Sequence, residues 1–311
     1  MVEIHRSRRE LAANTVASGG SITAGALLLN WLDCFRVRWQ VRPPRAEETI
    51  LSHFGAIVRS EGLFQGLWLQ GLAANVCASA SSYALRVGAY PLLRDALVLA
   101  TDGEAGEKGG HHMFVAGFAS GLVGFLLSTP LWQIKTRMHA EAGVRCEATG
   151  KMLSGAAAGR APHFLSVRHG LHRLAVEGGA FHGATPLVIR GALLSGGQQL
   201  GYDGTKTICK RQALLEDGPL LHLAASIAAA GVACTFAAPF DFLQTRYQSG
   251  RADGTQWGSL LECARAMVAE GGGLIFFRGW IPFFGRLAPL FIINLPLYER
   301  LRRLLGLGYL E

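Results

Sequence analysis

Three copies of one short motif constrain the fold of this chain more than any other feature of its sequence. The motif is a proline, an acid two residues later, a base three residues after the acid, and a second base two residues further. Its copies are Trp31-Leu-Asp-Cys-Phe-Arg-Val-Arg38, Pro130-Leu-Trp-Gln-Ile-Lys-Thr-Arg137 and Pro239-Phe-Asp-Phe-Leu-Gln-Thr-Arg246. No copy is complete, because Trp31 replaces the proline, Trp132 replaces an acid and Gln244 replaces a base. Each copy closes a run of about twenty apolar residues, which indicates an internal repeat.

Two further signatures follow each copy of the motif. The first is an acid-glycine pair before another apolar stretch, at Glu61-Gly62, Glu177-Gly178 and Glu270-Gly271. The second ends those stretches, as Tyr90-Pro-Leu-Leu-Arg94, Tyr202-Asp-Gly-Thr-Lys206 and Tyr298-Glu-Arg-Leu-Arg302. Because the signatures recur in one order, we expect a single domain over residues 1–311, with repeats at about 10–97, 110–213 and 217–306.

Composition and segment length predict a membrane protein. Of the 311 residues, 50% are hydrophobic and only 17% are charged, whereas soluble domains usually carry about 25% charged residues. Six segments have the roughly 20 residues needed to cross a bilayer. They are residues 11–32, 66–85, 113–134, 183–202, 218–240 and 279–298, and their charged residues are Arg190 and Arg286.

The sequence gives little support to several other classes of function. A net charge of +8 would suit nucleic acid, but basic residues near membrane segments fit anionic lipid and anionic solute better. The six cysteines are scattered without a Cys-x-x-Cys pair, so we expect neither a metal site nor a disulfide framework. No nucleophile, base and orienting group recur together, so we expect no enzyme and no cofactor.

The tripled signatures resemble those of the mitochondrial carrier family over about residues 10–303. The resemblance implies an all-α membrane protein with six tilted transmembrane helices around a pseudo-threefold axis and short amphipathic helices on the matrix side. It also implies a monomeric secondary transporter of the mitochondrial inner membrane with both termini in the intermembrane space. Cardiolipin is expected at the helix starts marked by Gly183 and Gly279.

In this family the motif residues form a ring of salt bridges between repeats, the matrix gate. Carried onto this chain, the ring contains Asp33 with Lys135, Asp241 with Arg36, and Trp132 with Gln244 in place of a third pair. Because both charges of the third pair are missing together, no unpaired charge is left in a poorly solvated place. The family places bracing glutamines where this chain has Gln40 and Gln248, and the middle repeat has His139 there.

The resemblance implies a second, cytoplasmic gate formed by the tyrosine signatures. Its residues are the three tyrosines Tyr90, Tyr202 and Tyr298, the pairs Arg94 with Asp203 and Lys206 with Glu299, and Arg302. No acid pairs with Arg302, because Pro91 occupies the equivalent place in the first repeat.

The repeats also indicate candidate substrate-binding residues. Arg190 and Arg286 each lie 16 residues before the base of a tyrosine signature, where the first repeat has Ala78. With a second layer closer to the tyrosines, the candidates are Arg86, Arg190, Arg286, Ser82, Gln198 and Asn294. Ionisable residues inside a membrane segment usually face an interior cavity, although snorkelling to the interface is the alternative. Since guanidinium groups bind carboxylates through paired hydrogen bonds, the predicted solute is a small anion.

The segments around two of these arginines narrow the resemblance. Ser82-Tyr83-Ala-Leu-Arg86 and Arg286-Leu-Ala-Pro289 are most similar to the oxoglutarate, dicarboxylate, oxaloacetate and uncoupling-protein branch. This implies a di- or oxocarboxylate, although that branch commonly has an arginine at the position of Ala78. Two alternatives stay open: an uncoupling-type carrier that leaks protons or fatty acids, and a carrier fold that serves as a non-transporting structural subunit.

The middle repeat has a longer loop than the other two. The second base of its motif and the acid of its acid-glycine pair are 40 residues apart, compared with 23 and 24 in the first and third repeats. The resulting insertion of about 16 residues lies around 142–162 and is rich in Gly and Ala. We expect it to be a flexible surface loop.

Overall fold

The computed structural model describes residues 2–44, 48–100, 110–211, 219–250 and 255–306. The regular structure in these ranges is helical, apart from isolated β-bridges. Its α-helices are α1 (Val2–Val41), α2 (Ile50–Glu61), α3 (Leu72–Ala100), α4 (Gly110–Ala140), α5 (Val167–Glu177), α6 (Ala184–Arg211), α7 (Pro219–Ser249), α8 (Leu260–Gly271) and α9 (Trp280–Leu304). A π-helical turn at Phe64–Trp68 precedes α3, and a 3₁₀ turn at Gly273–Phe277 precedes α9.

The six long helices form a closed ring. They pack in the order α1, α3, α4, α6, α7 and α9, and α9 packs against α1. We call the end where α1, α4 and α7 finish the motif end, because it contains Asp33, Lys135 and Asp241. We call the other end, with Tyr202 and Tyr298, the tyrosine end.

Among the described residues, two stretches are long and apolar enough, by length and composition, to cross a membrane. They are Leu220–Ser249 and Gly273–Leu304. Both contain prolines, Pro239 in α7 and Pro289 and Pro296 in α9. Each proline removes one backbone hydrogen bond, yet both helices continue past their prolines.

The short helices α2, α5 and α8 start and stop in the same way. Thr49, Ser166 and Ser259 cap their N-termini by accepting hydrogen bonds from backbone N–H groups one turn later. A glycine follows the last residue of each helix. Each helix buries one narrow face, for example Ile57 on α2, Leu174 on α5 and Met267 on α8. The sequence pattern of amphipathic connecting helices is therefore present in all three repeats.

Small residues allow α6 and α7 to approach each other closely. A Cβ atom on Gly197 would lie 2.7 Å from Cα of Ala233, and one on Gly201 would lie 2.6 Å from Cα of Ala229. An alanine at either glycine would therefore push the two backbones apart. The many Gly and Ala residues of these segments serve helix packing, as is common between membrane helices.

The insertion around 142–162 is a folded segment, so the expectation of a flexible loop was wrong. Isolated β-bridges join Arg145 to Met152 and Met152 to Ala158. The side chains of Met152 and Ala157 are buried. Ala142 packs in an apolar cluster with Cys34 and Phe35 of α1. Backbone pairing and apolar burial, which a Gly- and Ala-rich composition does not reveal, hold the insertion against the first repeat.

His163, just after the insertion, makes the stability of this region depend on pH. Burial, helped by the neighbouring Arg137 and Arg173 cations, lowers the pKa of His163 from 6.5 to about 4. The unfolded chain therefore binds a proton below pH 6.5 that the folded chain does not take up until about pH 4. Stability contributed by the neutral ring is lost as the pH falls through this window.

We expect His163→Gln to reduce the loss of thermal stability between pH 6.5 and 4.5. The measurement is the melting temperature of the purified protein across that pH range. His172→Gln, at an exposed position on α5, is the matched control. Parallel pH profiles for the wild type and His163→Gln would contradict this assignment.

Candidate functional site

Asp33 is the centre of an ion-pair network at the motif end. Its carboxylate is fully buried and lies 2.6 Å from Nζ of Lys135 and 2.8 Å from Nη2 of Arg36. Nη2 of Arg286 approaches the same carboxylate to 3.5 Å. Residues from α1, α4 and α9 therefore meet at one side chain.

Asp241 on α7 gathers a second set of partners. Arg36 Nη1 pairs directly with its carboxylate, and Gln40 Nε2 donates a hydrogen bond to it at 2.8 Å. Nη1 of Arg190 lies 3.5 Å from its other oxygen. Because Arg36 contacts both Asp33 and Asp241, the two expected ion pairs form one continuous network.

The network contains more positive than negative charge. Among the described residues, it has two carboxylates, Asp33 and Asp241, and four basic side chains, Arg36, Lys135, Arg190 and Arg286. All six side chains are buried. Two surplus positive charges in a poorly solvated place are costly without a counter-charge. The arrangement is chemically suited to receive an anion, and a dianion would balance it.

The indole ring of Trp132 contacts two of these cations. The Arg190 guanidinium lies 5.0 Å from the ring centroid, and Lys135 Nζ lies 4.8 Å from it. These are cation–π distances. Gln244, the other member of the incomplete pair, instead donates to Gln248 Oε1 at 3.0 Å. Trp132 therefore replaces the missing acid by holding cations with an aromatic face.

Ala78, which the repeat spacing places in one layer with Arg190 and Arg286, packs against Trp132. It is fully buried in an apolar cluster with Trp132 and Leu187. The indole of Trp132 packs against the methyl group of Ala78. The periodicity located the residue on its helix correctly, but it carries no information about a bulky neighbour from α4.

The bracing positions follow one pattern in the three repeats. A Cβ atom on Gly279 would lie 2.8 Å from Cγ of Gln40, and one on Gly183 would lie 2.6 Å from Cγ of Gln248. Gly71 has the same relation to His139, whose Cδ2 would be 2.5 Å away. Each brace therefore packs directly against the backbone that starts a long helix of a different repeat, namely α9 for Gln40, α6 for Gln248 and α3 for His139.

A cavity of about 520 Å³ lies toward the tyrosine end of the ring. Three of the candidate substrate-binding residues line it, namely Arg86, Gln198 and Asn294. Tyr202 and Tyr298 also line it. The amide oxygen of Asn294 is buried and has no hydrogen-bond partner among the described residues. The described lining therefore includes one cation, Arg86, and one amide oxygen without a hydrogen-bond partner, that of Asn294.

The remaining candidates lie deeper. Arg190 and Arg286 are each eight residues, or about 12 Å along a helix, closer to the motif end than the cavity layer. Arg190 is only 2% exposed, and its Nε has no hydrogen-bond partner in the described part of the chain. Ser82 is also buried, and its hydroxyl lacks a partner there as well. Arg86, Gln198 and Asn294 thus line the cavity, and Arg190 and Arg286 form a charged layer closer to the motif end.

At the tyrosine end, the side chains of Tyr90, Arg94, Asp203 and Glu299 lie outside the described residues. The two expected pairs at this end therefore stay predictions. Lys206 Nζ lies 5.0 Å from the ring centroid of Tyr202.

Asn14 on α1 is a partner that the repeat signatures did not indicate. The hydroxyl of Tyr298 donates to Asn14 Oδ1 at 2.7 Å, and Nη1 of Arg302 donates to the same oxygen at 3.3 Å. The neutral amide of Asn14 thus accepts a hydrogen bond from Arg302, for which the first repeat has no acid. Asn14 lies upstream of every signature, so only the three-dimensional fold reveals it.

The second base of the motif reaches the acid-glycine pair of its own repeat. Arg38 forms two hydrogen bonds with Glu61, and Arg246 pairs with Glu270. In the middle repeat, Arg137 Nε instead lies 3.3 Å from Glu141. The similar spacing in the first and third repeats, 23 and 24 residues, was a usable signal for these pairs.

Three successive stretches of the chain, residues 7–100, 107–213 and 216–308, match the family described as "Mitochondrial carrier protein". The chain belongs to the mitochondrial carrier family. Members of this family are transporters of the mitochondrial inner membrane and not enzymes. The carrier is therefore a transport protein built from three repeats of one unit.

Several curated relatives match this carrier over most of their length. It is 26% identical to "Mitochondrial brown fat uncoupling protein 1" of Canis lupus familiaris, covering 94% of this chain and 92% of the relative. It is 28% identical to "Mitochondrial citrate transporter F" of Aspergillus niger, covering 92% and 89%. It is 27% identical to "Probable mitochondrial 2-oxoglutarate/malate carrier protein" of Dictyostelium discoideum, covering 87% and 82%.

Proposed function

We propose that this carrier exchanges a small di- or oxocarboxylate across the mitochondrial inner membrane by alternating access. The single observation that carries the proposal is the surplus of two positive charges in the buried network at the motif end. A dicarboxylate supplies the missing counter-charge. The cavity lined by Arg86, Gln198 and Asn294 gives such a solute a route to Arg190 and Arg286.

The same observation suggests how solute binding opens the gate. Arg190 contacts Asp241 and Arg286 contacts Asp33, so a solute carboxylate that binds either arginine competes with an acid of the matrix gate. Binding therefore weakens the network that holds α1, α7 and α9 together. A ligand shifts a conformational equilibrium only through such differential contacts.

The proposed topology has six tilted transmembrane helices around a pseudo-threefold axis, with both termini in the intermembrane space. The ring of six long helices and the repeated glycine contacts of the three braces support this arrangement. The motif end then faces the matrix. We also propose a monomer, with cardiolipin bound at the helix starts at Gly183 and Gly279, where backbone N–H groups attract anions.

The test is an exchange assay with purified protein in liposomes. Malate, 2-oxoglutarate, oxaloacetate, citrate, phosphate and nucleotides are offered as external solutes, and each is also tested for raising the melting temperature. Dicarboxylates or oxocarboxylates should exchange and stabilise most. Exchange restricted to phosphate or nucleotides would overturn the proposal.

An uncoupling-type leak is the second candidate, because several relatives are named as uncoupling proteins. The same liposomes can contain a pH-sensitive dye. Proton flux that fatty acid stimulates, without any carboxylate exchange, would favour this alternative over the exchanger.

The packing of Ala78 against Trp132 leads to a prediction about solute class. Ala78→Arg alone should fold poorly, because it overpacks the cluster and buries an unpaired charge. Adding Trp132→Asp frees space and provides a partner. We expect the double variant to recover stability and to prefer more highly charged anions in competition assays.

A cycle of melting temperatures on the wild type, both single variants and the double variant measures this coupling. Ala73→Arg, at an exposed position of the same helix, is the matched single substitution. It adds the same side chain to α3 without entering the Trp132 cluster, so it should lower the melting temperature far less than Ala78→Arg. Independent, additive effects of Ala78→Arg and Trp132→Asp would show that the two positions are not coupled.

A further inference from the structure

His139 is a buried titratable side chain that neither the gate pairs nor the substrate candidates include. It is fully buried near the end of α4. Neither ring nitrogen has a hydrogen-bond partner among the described residues. A buried polar group without a partner is costly, so this position calls for an explanation.

The equivalent positions in the other repeats are glutamines. Each of the three residues follows the first base position of its motif by four residues, or about one helical turn. Gln40 uses its amide to donate to Asp241 at 2.8 Å, and Gln248 accepts from Gln244 at 3.0 Å. Like the two glutamines, His139 packs against a glycine that precedes a long helix, here Gly71. Unlike them, it has a side chain that can change its charge.

The charges around His139 determine when it can take up a proton. On its own helix it faces Lys135, and α1 contributes Asp33 and Arg36. Arg286 on α9 also acts on it electrostatically, and the start of α3 contributes the uncharged Gly71. Among the described residues, three cations and one carboxylate therefore act electrostatically on the ring. A proton added while this end is closed would be repelled and desolvated.

We propose that His139 is a proton-binding site that couples opening of the motif end to proton uptake. The proposal rests on the alternating-access function proposed above. When the end opens, water reaches the imidazole and a solvent proton binds to a ring nitrogen. When the end closes, that proton returns to solvent. The brace in this repeat is thereby sensitive to pH, which the two glutamine braces are not.

The expected pH dependence of the opening equilibrium follows from the linkage between proton binding and conformation. An imidazole in water titrates near pH 6.5, whereas the closed end excludes the proton. The equilibrium constant for opening should then rise about tenfold between pH 7.5 and pH 5.5, because only the open state binds the proton. Acid on the motif side therefore favours the open state.

The matched variant is His139→Gln, since glutamine already stands at the two equivalent positions. Exchange of malate is measured in liposomes at internal and external pH values between 5.5 and 7.5. The ratio of rates at the two pH extremes is compared between the wild type and the variant, which cancels titration of the solute. When the pH is changed on the motif side, the ratio of exchange rates between the two extremes should be about ten times larger in the wild type than in His139→Gln.

A second measurement does not require transport. The closed wild-type protein should lose thermal stability below pH 6.5 more steeply than His139→Gln, because its unfolded chain binds a proton that the closed state rejects. Identical pH profiles of stability in the two proteins would overturn the proposal even if exchange is observed. Absence of any carboxylate exchange, with a difference in the stability profiles, would contradict the proposed solute and leave the proton site supported.

Discussion

Replacing Arg190 or Arg286 with alanine is expected to abolish carboxylate exchange while the protein stays folded. Each guanidinium is a buried cation that contacts a gate carboxylate. Truncating one partner of a buried, hydrogen-bonded charge pair costs about 2–5 kcal/mol, which corresponds to at least about 30-fold weaker binding. In the proposed mechanism, solute binding and release of the gate use the same side chains, so the transport rate should fall further than binding does.

The network explains why the fold should tolerate these changes. In Arg190→Ala, Asp241 keeps Arg36 and Gln40 as partners. In Arg286→Ala, Asp33 keeps Lys135 and Arg36. Neither acid is left alone, so the large penalty of an unpaired buried charge is avoided.

The measurement is malate exchange at equal protein in the liposomes, with the melting temperature as a check of folding. Arg265→Ala, at an exposed position of α8, is the matched control. Arg190→Lys separates charge from shape, because lysine keeps the charge but cannot form paired hydrogen bonds. Wild-type exchange by either alanine variant would remove these arginines from the proposed site.

Replacing Trp132 with leucine is expected to destabilise the closed motif end strongly. The indole is buried and holds Arg190 and Lys135 at cation–π distances. Each such contact contributes about 2 kcal/mol when desolvated. Leucine leaves both cations without an aromatic partner and also leaves unfilled volume, which adds a cavity cost. We expect a lower melting temperature and faster leakage of protons or ions.

Trp132→Phe is the control for volume, because it retains an aromatic face with less bulk. Its stability should lie between that of the wild type and that of Trp132→Leu. Thermal unfolding and dye-detected leak in liposomes report the two effects. If Phe and Leu destabilise equally, the indole acts only as apolar filling and the cation–π description is wrong.

The sequence predicted those parts of this carrier that depend on spacing within a repeat. The positions of Asp33, Lys135, Asp241 and Arg36 follow from one motif, and the fold brings these four side chains into contact. The contacts of Arg190 with Asp241 and of Arg286 with Asp33 were not predicted. They depend on how deep each helix sits relative to its neighbour, and a repeat pattern does not encode that depth.

Two other features were inaccessible for a different physical reason. Trp132 and Ala78 each depart from the repeat pattern, which has a charged residue at both positions. In the fold the large indole packs against the small alanine, and a contact of this kind is visible only in the folded structure. The insertion looked mobile because Gly and Ala dominate its composition. Its order comes from contacts with another repeat, including the burial of Ala142 against Cys34, which no local signal indicates.

The attachment of the insertion makes the three repeats mechanically unequal. Ala142 packs on α1, and the carbonyl of Gly143 accepts a hydrogen bond from Gln70 of the first repeat at 3.2 Å. The second repeat is therefore tied to the first, whereas sequence spacing gives the third repeat no comparable extension. Motion at the motif end should then carry the insertion of the second repeat together with the first repeat.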